Sequence, residues 1–142
     1  MLTINPYLNF AGNTEEAFNF YKSVFGGEFL ALQRFKDTPE AGNIPKQEQD
    51  KIMHVALPIG NGAVLMATDA LESMGHTVKQ GNQITLSVEA DSKDEADRIF
   101  NGLAGGGKVG VPITDMFWGS YWGQLHDKFG VPWMVNYTPA KN

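Results

Sequence analysis

A chain of 142 residues with 11 Lys and Arg against 16 Asp and Glu, net charge -5, can bury one substantial core but has no clustered basic face for a nucleic-acid backbone. The absence of cysteine excludes disulfides, thiolate metal centres and cysteine nucleophiles. The opening Met1-Leu-Thr-Ile-Asn-Pro6 has no basic n-region and no run of about 18 apolar residues occurs, so a cytoplasmic protein with no membrane partner is expected.

In chain order, Thr3 to Phe10 has the pattern of a strand. Asn13-Thr-Glu-Glu16 then places a cap residue three positions before a glutamate, and Ala17, Phe20, Tyr21, Val24 and Phe25 follow at helical spacing as the expected core stripe. Gly26-Gly27 ends that helix, and Glu28 to Phe35 alternates as a second strand. Lys36 to Asp50, with two prolines, is a long loop and the expected mobile element. Ile52 to Ile59 and Ala63 to Thr68 flank Gly60-Asn61-Gly62 as a hairpin. Ala70 to Asn82 reads as a linker, and Gln83 to Glu89 as the next strand. Ser92-Lys-Asp-Glu95 opens a second helix with Ala96, Ile99, Phe100, Leu103 and Ala104 inward, ending at Gly105-Gly106. Three extended segments, Val109 to Pro112, Gly119 to Leu125 and Val131 to Tyr137, complete the chain.

Caps, apolar stripes and glycine stops recur at one offset of about 79 positions, from Asn13 to Ser92, which points to an internal duplication. The expected fold is α+β, two tandem βαβββ modules forming cupped sheets. The modules span about 1–69 and 83–142, joined by linker 70–82 within a single domain, 1–142.

Several local patterns carry less chemistry than they suggest. Gly102 to Lys108 satisfies G-x-x-x-x-G-K, yet Val109 stands where a nucleotide loop needs Ser or Thr, and the stretch leaves a helix. Asp91, Asp94, Glu95 and Asp97 suit the first turns of a helix exposed to water. No G-x-S-x-G elbow and no H-E-x-x-H occurs. His76 belongs to the linker, and Asp127 of His126-Asp127 suits a turn in which its carboxylate holds backbone amides. His54, between Met53 and Val55, is either a hydrogen-bonded core histidine or a residue facing ligand.

Glu16-Ala-Phe-Asn-Phe-Tyr-Lys-Ser-Val-Phe-Gly26, the Ile52-Met-His-Val-Ala-Leu57 strand, Phe117-Trp-Gly-x-x-x-Gly123 and Asp127-x-Phe-Gly130-x-x-Trp133, set on a duplicated βαβββ plan, resemble the PhnB-like branch of the vicinal oxygen chelate superfamily. That superfamily includes glyoxalase I and the bleomycin-resistance proteins. The resemblance covers nearly the whole chain and implies a homodimer whose sheets enclose clefts. In metal-using relatives, His or Gln and Glu on the first and last strands of each module hold a divalent ion. The matching positions are Asn5, Met66 or Ala67, Gln83 and Met134, with no carboxylate or imidazole among them, so no metal and no cofactor is expected.

What remains is a soft aromatic lining. Tyr7, His54, Met66, Gln83, Phe117, Trp118, Trp122 and Met134 are the expected ligand-binding residues, with Trp133 in the same segments, and Gly119 and Gly123 are expected to let backbone approach a ligand. For Trp118 and Trp122 pocket and core both stand open, and the Trp118/Trp122 segment is expected to face one shared, partly apolar cavity with His54. The expected function is metal-independent binding of a small, partly apolar molecule. The alternative is a metal-dependent lyase, isomerase or dioxygenase, or an enzyme using His54 as general base.

Overall fold

The computed structural model describes residues 2–60 and 62–139. Met1 of the opening segment, Asn61 of the hairpin turn and residues 140–142 lie outside the described residues. The chain divides between Lys79 and Gln80 into two compact units.

The first unit runs β1 (Tyr7–Phe10), α1 (Thr14–Phe25), β2 (Ala31–Arg34), β3 (Ile52–Ile59) and β4 (Ala63–Asp69). Its sheet has the order β1-β4-β3-β2, with β1 parallel to β4 and the other pairs antiparallel. The second unit repeats this with β5 (Leu86–Glu89), α2 (Lys93–Ala104), β6 (Lys108–Asp115), β7 (Tyr121–His126) and β8 (Pro132–Tyr137), in the order β5-β8-β7-β6. Two helices and two four-stranded mixed sheets make an α+β fold of two tandem modules. Among the described residues no helix is long and apolar enough to cross a membrane.

Strand alternation decides which side of each sheet meets its helix. Val55, Leu57, Leu65 and Ala67 are fully buried on one face of the first sheet, while Val64, Met66 and Thr68 alternate with them and stay partly exposed. In the second sheet Leu125, Trp133 and Val135 take the buried role against Ile99, Phe100 and Leu103 of α2. The α2 stripe is as expected except that Ala104 is only half-buried. In α1 the stripe is turned. Ala17, Phe18, Tyr21 and Val24 are buried, and Phe20 and Phe25 are half-buried. Phe18 wins the place because its ring meets Phe10 and Tyr21 edge-on, at centroid distances of 6.4 Å and 5.5 Å. An aromatic-rich helix permits two overlapping stripes, and only the tertiary partner chooses between them.

The helix starts also differ. Ser92 caps α2 as its sequence suggests, accepting from Glu95 N at 3.0 Å, while Glu95 Oε1 accepts from Asp91 N at 3.2 Å. Asn13 makes no side-chain cap. Its task passes to Asp69 at the end of β4, whose Oδ1 accepts from Thr14 N at 3.0 Å and Thr14 Oγ1 at 2.7 Å, and whose Oδ2 accepts from Ile52 N at 2.8 Å. One buried carboxylate thus ties α1, β3 and β4 together. Asp127 has the matching role in the second unit: Oδ1 accepts from Phe129 N (2.8 Å) and Val131 N (3.0 Å), and Oδ2 from the indole N–H of Trp133 (2.9 Å).

Element ends shift for local reasons. β1 starts at Tyr7 and not Thr3, because Pro6 has no N–H to give the ladder, though its carbonyl accepts from Met66 N at 3.0 Å. β6 reaches Asp115, past the expected Pro112, by absorbing register shifts between Val109 and Val111 and again before Thr114. The 36–50 segment contains three short 3-10 turns and is anchored. Ile44 and Glu48 are buried, the Glu48 carboxylate accepts from the Ser73 hydroxyl, and Gln49 Nε2 donates to Ala41 O and Ile44 O. Within the expected linker, Leu71 is fully buried.

Replacing Asp69 by Ala leaves the Thr14 and Ile52 amides buried without acceptors, so Asp69→Ala is expected to lower unfolding free energy by about 3 kcal/mol in urea titration, against under about 1 kcal/mol for Asn13→Ala. Equal, small losses for both would show that α1 caps itself.

Candidate functional site: the open faces of the two sheets

Each helix covers one face of its sheet, and the other face carries the candidate residues. In the first unit the register places Tyr7 opposite Met66 and Met66 opposite Ala56, so these three share the open face. His54 lies on the same face one pair along, opposite Gln33, and its ring stacks on that of Tyr7 with centroids 5.9 Å apart and planes 24° from parallel. Tyr7 is 47% exposed and His54 half-buried. The structure therefore brings Tyr7, His54 and Met66 together, with His54 turned away from the Val55/Leu57 core face.

In the second unit the open face carries Ser87, Met134 and Gln124 in one register row and Glu89, Asn136, Trp122 and Thr114 in the next. Trp118 and Phe117 come from the turn after β6. The rings form a chain: Phe117 meets Trp118 edge-on at 5.0 Å and Trp118 meets Trp122 at 6.1 Å with planes 61° apart. Phe117 is 97% exposed and Trp118 54%, so these rings are not core. Met134 and Trp122 join them on the face.

Several residues lie elsewhere than expected. Gln83 does not belong to this group: it is exposed in the segment before β5, whose residue opposite Met134 is Ser87. β5 starts at Leu86 and not Gln83, because only from there does the chain pair with β8. Trp133 lies on the helix face, 2% exposed and held by Asp127, so it is a core residue. Gly123 also faces inward. A Cβ there would stand 2.7 Å from both the Phe100 ring and Ile113 Cα, so its missing side chain makes room for α2 and β6 rather than for a ligand. Gly119, with φ +96° and open space around it, serves the turn.

The inherited metal positions can be tested by their chemistry. Asn5 spends its side-chain oxygen on Val64 N at 3.2 Å, Ala67 is on the buried face, and the open-face positions are held by Tyr7, Met66, Ser87 and Met134. Within each unit these are poor donors for a hard or borderline divalent ion: a phenol and a thioether in the first, a hydroxyl and a thioether in the second. Among the described residues no group of three or more His, Asp or Glu is gathered for one. Glu89, Asn136 and Gln124 are additions to the face. Their signal is alternation, since Asn136 must share a side with Met134, but it depends on knowing which strands pair.

A family model described as 3-demethylubiquinone-9 3-methyltransferase matches residues 2–136. The protein YjdN of Escherichia coli (strain K12) is 34% identical over 143 residues, covering 95% of each chain. The chain belongs to that family. It is PhnB-like, and its likeness to the glyoxalase/bleomycin resistance proteins is one of fold. The crystal structure of PA1353 from Pseudomonas aeruginosa is 40% identical, with a TM-score of 0.85 over 97% of this chain and 98% of that one. A PhnB protein from Bacillus cereus is 28% identical, with a TM-score of 0.76 over 96% and 100%. A glyoxalase/bleomycin resistance protein/dioxygenase family enzyme from Burkholderia phytofirmans PsJN, 18% identical with a TM-score of 0.61 over 94% and 97%, shares the fold.

The two glycines of the PhnB-like Phe-Trp-Gly-x-x-x-Gly segment separate by substitution. Gly123→Ala is expected to cost about 2 kcal/mol of stability through overpacking against Phe100 and Ile113. A variant as stable as the parent in urea unfolding would restore the reading in which that space belongs to a ligand.

Proposed function

We propose that this PhnB-like protein binds a small, partly apolar molecule without a metal ion, through the ring-bearing open faces of its sheets. The observation that carries the reading is the chain of rings from Phe117 through Trp118 to Trp122, two of them exposed. Large apolar surface left in water costs roughly 25 cal/mol per Å², and three rings packed edge to face form an angled surface on which a flat ligand can stack. Tyr7, His54 and Met66 supply a second such surface, with Met66 and Met134 adding adaptable thioethers.

The methyltransferase named in the family description asks for S-adenosylmethionine, which is commonly held at a glycine-rich turn after the first strand of a doubly wound parallel sheet. Here β1 leads into α1 through Ala11-Gly12-Asn13, and both sheets are mixed. The metal-dependent lyase, isomerase or dioxygenase reading asks for anionic or imidazole donors, and the aligned last-strand position on each open face carries a thioether, Met66 in the first unit and Met134 in the second. Binding is the chemistry the faces support best.

The test is titration with 1-naphthol, followed by tryptophan fluorescence and calorimetry, with and without EDTA. Saturable quenching that EDTA leaves unchanged, and that falls at least about tenfold in affinity in Trp118→Ala, is expected, since one lost stacking partner removes about 1.4 kcal/mol. Absence of saturation, or dependence on added metal, would overturn the proposal. In the first module His54→Ala should change stability by less than about 1 kcal/mol, whereas several kcal/mol would mark His54 as a structural core residue.

A further inference from the structure

The ring end of the second module's open face has a definite polarity. Asn136 Nδ2 donates to Glu89 Oε2 at 2.8 Å and to Thr138 Oγ1 at 3.1 Å. Because a carboxylate only accepts, the amide nitrogen must point at Glu89, which leaves Asn136 Oδ1 an acceptor without a hydrogen-bond partner among the described residues. Glu89 is exposed, and among the described residues its second oxygen, Oε1, has no hydrogen-bond or ion-pair partner. Two spare acceptors, one of them charged, therefore lie in the register row of Trp122. The rings add to the same bias, because the face of an indole is the negative end of its quadrupole and attracts cations.

Two cations of this unit, Lys108 and Lys93, are placed so as not to cancel that bias. Lys108 pairs in register with His126 and His126 with Pro132, at the opposite end of the open face. Lys93 is committed to Asp115 at 2.9 Å and lies over the Tyr121 ring. Tyr121 donates to Asp97 at 2.5 Å and belongs to the alternate set of β7 residues, facing α2.

We propose that the Glu89–Asn136–Trp122–Trp118 end of this face recognises an organic cation: a ligand whose ammonium or N-alkylated ring nitrogen stands beside Glu89 while its flat apolar body covers the indoles. This rests on the binding function proposed above and narrows its substrate class. The spare carboxylate oxygen meets the charge, Asn136 Oδ1 meets a neighbouring N–H or polarised C–H, and the two indoles, 61° apart, form a corner that holds a ring on two sides. A neutral ligand of the same shape would gain the stacking and lose the charge term. An anion would be repelled by Glu89 and by the net charge of -5, which also speeds the approach of a cation.

The experiment compares three probes of one shape: N-methylquinolinium, quinoline at about pH 8 where it is uncharged, and naphthalene-2-sulfonate. Each is titrated against the whole protein by tryptophan quenching and calorimetry. The cation is expected to bind about fivefold or more tighter than quinoline, and the anion weakest. Glu89→Gln, which keeps an acceptor for Asn136, should cut the cation's advantage at least about threefold and leave quinoline unchanged. On the parent protein, raising salt from about 0.05 M to about 1 M should weaken only the charged probe that prefers the site, which gives a reading independent of any variant's folding. Equal affinities for quinolinium and quinoline, or a preference that Glu89→Gln leaves intact, would overturn the cation proposal while leaving the binding function standing. If none of the three probes saturates, both fall together.

Discussion

The structure depends on a shortage of cover. Each module has one helix of 12 residues, about 18 Å long, set against a sheet of four strands that is some 15 Å wide, so a module's own helix suffices for one face only. Strand alternation then divides every strand into residues that build the core and residues that do not. Val55 and Leu57 pack while His54 stacks on Tyr7, and Trp133 and Val135 pack while Met134 and Asn136 look outward. A shift of one residue in register would exchange these sets, so the same pairing that holds the fold also presents the candidate site. Asp69 and Asp127, both buried, fix the chain where strands meet connecting segments, and neither faces the site.

Much of the architecture was legible where its cause is local. The α2 cap, its inward stripe, the β3–β4 hairpin and the amide-holding turn at Asp127 all follow from spacings within a few residues, and each formed. What was not legible depends on distant partners. The cap of α1 comes from Asp69, 55 positions away, and no local pattern distinguishes it from the Asn13 that stands in the usual place. Phe18 displaced Phe20 and Phe25 because Phe10 and Tyr21 meet it, a choice between two overlapping stripes that the helix alone does not make.

The site follows the same division. That Tyr7, His54, Met66, Trp122 and Met134 lie on open faces was legible from strand alternation, and the exposure of Trp118 from its place beside Gly119. Gln83 and Trp133 were misplaced, since they need a strand start and a face assignment that only register supplies. Glycine was the least informative residue. Gly119 and Gly123 lie in one motif, yet one serves a turn and the other a close approach of Phe100. Family membership determines the fold and leaves the chemistry open.

The central claim is that the open-face rings are surplus to folding. It is tested most directly by comparing Trp118→Ala and Trp122→Ala with Trp133→Ala in equilibrium urea unfolding. The account predicts that truncating Trp133, buried and bonded to Asp127, costs about 3–5 kcal/mol, while each open-face variant costs less than about 1.5 kcal/mol. Losses at Trp118 and Trp122 as large as that at Trp133 would contradict it, and would make the aromatic chain part of the core.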